Sequence, residues 1–146
     1  MALKMIFVLD NGPARIEAIW KSLRSRELDK ATTIVDNVPD AIFWLSRNLH
    51  NCGVISLTHD LGGEQIRDGF LWDPGTGRDI ANYLAERSPV CPVILHTDNF
   101  FVRPQMQCIL DRGEWSHSFV APGNRMDWVE KEWLPKVLAG LAADCR

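Results

Sequence analysis

Five short apolar runs set the limits on this chain: "LKMIFVLD" ending at Asp10, "ATTIVD" at Asp36, "GVISLT" at Thr58, "CPVILHT" at Thr97 and "HSFVAP" at Pro122. Each has the length of a strand, and the spacing leaves room for a helix between successive pairs. The first, third and fourth are almost continuously hydrophobic. A strand needs that pattern when both of its faces are covered by helices, as in a parallel sheet.

The intervening segments carry helical periodicity. Ile16, Ile19, Trp20 and Leu23 follow Pro13, a residue favoured in a first turn. Asn37 caps a second helix, with Pro39 early in it, Ile42, Leu45 and Leu49 on its apolar face and Gly53 as its expected stop. A third runs from near Gly77 to about Ser88, where Pro89 prevents continuation, and a fourth covers "RPQMQCIL" to Gly113. The last starts near Met126 and is expected to kink at Pro135. Strict alternation of strand and helix predicts an α/β fold: a three-layer, doubly wound, parallel five-stranded sheet, flavodoxin-like, with strand order 2-1-3-4-5. Residues 59 to 76 read as a long irregular loop, a feature that in compact domains is functional or mobile.

At 146 residues and 46% hydrophobic content the expectation is one domain over 1–146. A formal charge of −3, from 16 basic and 19 acidic residues dispersed along the chain, provides no positive stripe for a DNA surface. A small phosphorylated ligand or nucleotide is the partner left open. No apolar run reaches the length of a signal-peptide core or membrane span. Cys52, Cys91, Cys108 and Cys145 lie far apart with no C-x-x-C pair, so they read as reduced core thiols in a cytoplasmic protein.

In open parallel sheets ligands bind beyond the carboxyl ends of the strands. Strand one ends in Asp10-Asn11, strand three in Thr58-His59-Asp60 and strand four in His96-Thr97-Asp98-Asn99. If these three strands are neighbours, the clusters converge on one crevice, with Gly62 and Gly63 letting the chain turn away. For each residue a structural role competes. Asn11 reads as turn chemistry, Asp10 as turn or site, and His96 as site or core histidine. His50 and His117 read as structural, and the six tryptophans as core filler.

Together "FVLDN", "ISLTHDLG", the following "DG" and "TGRDIANYL", and "VILHTDN" with the downstream "RPQM" resemble the cyclic-phosphate-processing branch of receiver-like domains, divergent relatives of the response-regulator receiver. The likeness runs from Met5 to about Pro122. Against an ordinary phosphoaccepting receiver the chain departs at three points: Asn11 weakens the acidic pair, Thr58 stands at the phosphoacceptor aspartate, and Ala121 replaces the lysine. Thr58 also departs from the branch's own "LDHDLG".

The resemblance implies recognition, and in its stronger form hydrolysis, of a phosphate ester such as a cyclic phosphate on a nucleotide or RNA end. Asp10 and Asp60 are the oxygen ligands available to a divalent cation, Mg²⁺ or Mn²⁺. His59, Asp60, His96 and Thr97 form the candidate catalytic set, the acid or base being His59 or His96. Thr58, Asn99 and Arg103 offer donors to phosphate oxygens. Two rivals are a receiver-shaped module that senses a ligand without turnover and a phosphoaccepting receiver using Asp60.

Overall fold

The computed structural model describes residues 4–143; Leu3 of the first apolar run and Cys145 lie outside the described residues. Its central sheet contains β1 (Met5–Leu9), β2 (Thr32–Val35), β3 (Cys52–Leu57), β6 (Val93–Leu95) and β7 (His117–Phe119). All pairs are parallel and the order is β2-β1-β3-β6-β7. Counting only the strands of this sheet, that is the expected 2-1-3-4-5.

The two additional strands, β4 (Gln65–Arg67) and β5 (Phe70–Trp72), correct the reading of 59 to 76 as irregular. They form an antiparallel hairpin around Asp68 and Gly69, with φ of 51° and 81°. Asp-Gly tolerates two left-handed residues in succession, the conformation that suits the twist of a tight hairpin.

Helices α1 (Pro13–Arg24) and α5 (Leu134–Ala142) cover one face of the sheet, and α2 (Val38–Asn48), α3 (Gly77–Ala85) and α4 (Arg103–Arg112) the other. On the first face Ile6, Val8, Val54 and Ile94 meet Ile19, Leu23, Trp133 and Val137. On the second Phe7, Leu9, Ile55, Leu57 and Leu95 meet Leu45, Ile80, Leu84 and Leu110. Each such fully buried side chain contributes about 1.5–3 kcal/mol of apolar burial. As expected, Asn37 caps α2, its Oδ1 accepting the Asp40 N–H at 2.8 Å. Gly53, however, does not stop this helix. The helix gives way to a 3₁₀ turn at Leu49–Asn51, and Gly53 lies inside β3, where a Cβ would collide with Lys4 and Leu141 side chains. Pro135 sits in the first turn of α5, and the expected break takes the form of a π-helical turn at Val129–Trp133. Cys52 and Cys91 are buried, but Cys108 is exposed on α4 and is not a core thiol. Burial pushes the Cys52 thiol up to about 12.

Candidate functional site

Register determines which residues meet at the carboxyl ends of the strands. Leu9 pairs with Leu57, Leu57 with Leu95 and Leu95 with Phe119, so these form one row across the sheet. The next row is Asp10, Thr58, His96 and Val120, held by backbone bonds from Thr58 N to Leu9 O, His96 N to Leu57 O and Val120 N to Leu95 O. Side chains alternate between faces along a strand. Asp10 therefore follows Ile6 and Val8 onto the α1/α5 face, His96 follows Ile94, and Ser56 lies one step below Thr58.

The buried centre of this face is a hydrogen-bond chain. Asp10 is fully buried, and its Oδ2 accepts from His96 Nε2 at 3.0 Å across 86 positions of sequence. Arg15, in the first turn of α1, grips the same carboxylate: Nη2 donates to Oδ1 at 2.8 Å and Nε lies 3.1 and 3.0 Å from the two oxygens. The Gly12 N–H adds a bond to Oδ1 at 2.8 Å. Behind the histidine, Ser56 Oγ lies 2.7 Å from Nδ1 and accepts the Trp133 indole N–H at 2.9 Å. An ionised carboxylate only accepts, so the Nε2 position carries the hydrogen. Burial by itself raises the Asp10 pKa, but the bonds from His96 and Arg15 outweigh it and hold the carboxyl well below the usual range. The same pairing raises the pKa of Arg15, whose side chain is 30% exposed and also feels the charge of Asp98. Trp128 stacks on His96 with ring centroids 6.2 Å apart, and beyond it a hollow of about 460 Å³ opens past the end of β7, lined in part by Ala121 and Arg125.

His59 and Thr97, one residue further on, fall on the other face with Leu57 and Leu95. His59 is 7% exposed, makes no bond to Asp10 or His96, and has a buried Nδ1 without a partner among the described residues. Burial lowers its pKa, with Asp60 and Asp79 acting against that shift and Arg78 reinforcing it. Gly77 opens α3 against this strand end: its N–H donates to His59 O at 2.9 Å, and any Cβ there would strike the Thr58 carbonyl. Thr97 Oγ1 accepts the Asn99 N–H at 3.1 Å, and Asn99 Nδ2 donates to Asp60 Oδ2 at 3.3 Å. Gly62 turns the chain away with φ 83°; Gly63 does so without a positive φ.

The structure thus joins Asp10 to His96 and Asp60 to Asn99 and Thr97. Thr58 stands in the row between Asp10 and His96. Arg103 is directed elsewhere, with its guanidinium carbon 3.9 Å from the Phe119 ring centroid. Three members of the network escaped the sequence reading: Arg15, Ser56 and Trp133. For Ser56 the signal was present, as a lone hydroxyl in the apolar run "GVISL" on the same alternation as Thr58.

The donor set does not suit a divalent cation as arranged. Both Asp10 oxygens are engaged by a guanidinium and an imidazole, and among the described residues no group of three or more His, Cys, Asp or Glu is placed to hold a metal. The cationic charge beside Asp10 is supplied by Arg15.

Five parallel strands with helices on both faces, and a hollow of about 280 Å³ at the ends of β1 and β2 lined in part by Asp10, Asp36 and Asp40, define a receiver-like domain. Structural neighbours agree. The phosphorylated cyanobacterial phytochrome response regulator RcpA superposes with a TM-score of 0.73 at 13% identity over 99% of both chains. A response regulator receiver domain from Rhodospirillum rubrum gives 0.63 at 16% identity, over 97% of this chain and 96% of that one. The Mn²⁺-bound form of response regulator Rcp1 gives 0.64 at 12%, over 98% and 99%. Residues 9–112 match the family described as the cyclic-phosphate processing receiver domain, and the chain belongs to that family. No curated protein sequence matches the chain. Among the described residues no helix is long and apolar enough to cross a membrane.

Proposed function

We propose that the strand-end crevice binds a phosphate ester, a cyclic phosphate on a nucleotide or RNA end, and hydrolyses it. The observation that carries this reading is Arg15: a partly exposed guanidinium fixed in place beside the strand ends by the buried Asp10 carboxylate. A fixed planar cation complements phosphate oxygens, and its geometry costs little to organise because Asp10, itself bonded to His96, already holds it. Thr58, Thr97 and Asn99 supply further donors at the same strand ends.

Roles divide by hydrogen bonding. His96 has both ring nitrogens engaged inside the core, so it is a positioning residue acting through Asp10. His59 is assigned the proton transfer, since burial favours its neutral form and Nδ1 is without a partner among the described residues. In hydrolysis, water adds to phosphorus, one ester P–O bond breaks, and the proton taken from water by His59 passes to the departing ribose oxygen. Asp60, tied to Asn99, sits next to the imidazole. The family name supports a cyclic phosphate as substrate class. Mg²⁺ or Mn²⁺ would first have to displace Arg15 from Asp10, and no step is assigned to a metal.

The test is incubation of the full chain with 2′,3′-cyclic nucleotides, following ring opening to the 2′- or 3′-monoester by chromatography. Monoester formation that disappears in His59→Gln supports hydrolysis. Ligand-induced thermal stabilisation with no monoester over a day would instead make the domain a sensor.

A further inference from the structure

Nothing in the backbone at position 12 requires a glycine. Gly12 is the N-cap of α1 at φ −81° and ψ 114°, an extended conformation open to every residue, and Pro13 after it favours the same region. Ser, Thr, Asp and Asn are preferred at an N-cap, yet no side chain caps this helix. What the position lacks is room. A Cβ on Gly12 would stand 2.6 Å from both Cζ and Nη2 of Arg15 and 3.0 Å from its Nε, so the clash is with the charged end of the arginine. The backbone is held on both sides: the Gly12 N–H donates to Asp10 Oδ1 and its carbonyl accepts the Ile16 N–H, each at 2.8 Å. The arginine, flexible and partly exposed, is the group that would have to leave.

The seat matters because of what else could fill it. Arg15 Nε and Nη2 engage both oxygens of Asp10, and Asp98 adds a second negative charge to its surroundings. Asp10 is also one of the two acids expected to ligate Mg²⁺ or Mn²⁺; the other, Asp60, is bonded to Asn99. A guanidinium in contact with both carboxylate oxygens bars a metal ion from them while supplying positive charge at the same place.

We propose that Gly12 is a positioning residue that seats the Arg15 guanidinium on Asp10, and that this guanidinium stands in for a divalent cation, so that ligand binding at the strand ends is metal-independent. The ligand half rests on the phosphate reading of the site; the seat does not. Urea unfolding of the full chain in a cycle of Gly12→Ala and Arg15→Ala tests the seat. Gly12→Ala is expected to lower the midpoint more with Arg15 present than in Arg15→Ala, where the added methyl group displaces nothing. An equal effect in both backgrounds overturns the seat. Mn²⁺ alone, titrated into wild type while amide resonances are followed, should leave the Gly12 amide at full intensity. Broadening of that amide that is lost in Asp10→Asn shows a metal at the carboxylate and overturns the replacement, whether or not Gly12→Ala folds. Adenosine 2′,3′-cyclic phosphate should bind equally in EDTA and in Mg²⁺, and roughly 10-fold more weakly to Gly12→Ala; affinity that rises with Mg²⁺ overturns metal independence. Wild type that binds no cyclic phosphate in either buffer overturns the phosphate reading and the ligand half with it, and the unfolding cycle and Mn²⁺ titration still decide the seat.

Discussion

Replacing His96 by alanine removes the link between Ser56 and Asp10 and should destabilise the fold by about 3–5 kcal/mol. The ring is fully buried and bonded at both nitrogens. A hydrogen bond to an ionised group contributes about 1.5–3 kcal/mol, and the Ser56 hydroxyl, which keeps the Trp133 N–H as a partner, loses a second bond of about 0.5–1.5 kcal/mol. The vacated volume adds to both. Arg15 and the Gly12 N–H still hold Asp10, which places the sum near the lower end of the range for breaking a buried charged pair. At roughly 3 °C per kcal/mol for a chain of this size, the melting temperature should fall by about 10 °C. Urea unfolding followed by tryptophan fluorescence measures the loss, since Trp128 stacks on His96 and Trp133 donates to Ser56. A double-mutant cycle with Asp10→Asn should give a coupling above about 1 kcal/mol. A His96→Ala variant within 1 kcal/mol of wild type, or strict additivity in the cycle, would refute the chain of bonds described above.

Four further outcomes are expected. The Asp10 carboxyl is depressed in the fold, so its stabilisation is complete above its unfolded pKa near pH 4 and is lost as pH falls through the lower folded value; acid unfolding below about pH 4 should be steeper in wild type than in Asp10→Asn. His59 is also depressed, so its contribution is complete above its unfolded pKa of about 6.5 and is lost below it; stability in His59→Gln should vary less as pH falls below about 6.5, and any wild-type hydrolysis should decline only at a pH lower still, where the folded imidazole takes up its proton. Thr58→Asp adds a carboxylate in the row beside Asp10 and should raise affinity for Mn²⁺, most of all combined with Arg15→Ala; an unchanged isothermal titration would mean that the strand ends do not share one space. Gly77→Ala places a methyl group against the Thr58 carbonyl and should lower the melting temperature more than Gly63→Ala, whose added Cβ meets nothing within 4 Å.

The sheet was legible because continuous apolar runs separated by helix-length segments leave few topologies, and the order of five parallel strands followed from that pattern. The Asp-Gly signal of the hairpin was also in the sequence, between Gln65-Ile66-Arg67 and Phe70-Leu71-Trp72, but its two short strands alternate too briefly to stand out from a loop. Convergence of Asp10 and His96 was legible from strand ends alone. Their division from His59 and Thr97 was not drawn, although counting by twos from Val8, Ser56 and Ile94 separates the two sets. Arg15 could not be read, since nothing in helical periodicity says that a first-turn arginine turns back on the acid five residues earlier. Arg103 shows the reverse: its charge suited a phosphate, but the exposed rings of Phe119 and Phe100 draw its guanidinium aside.

Under the proposed function, Arg15, braced by the Asp10 carboxylate that His96 holds from behind, is the cation that receives phosphate. Phosphorus-31 NMR of adenosine 2′,3′-cyclic phosphate titrated with wild type and Arg15→Gln examines it directly. A shift or broadening of the phosphorus resonance with wild type, abolished in a variant that remains folded, is the expected result; identical spectra for the two proteins would contradict it.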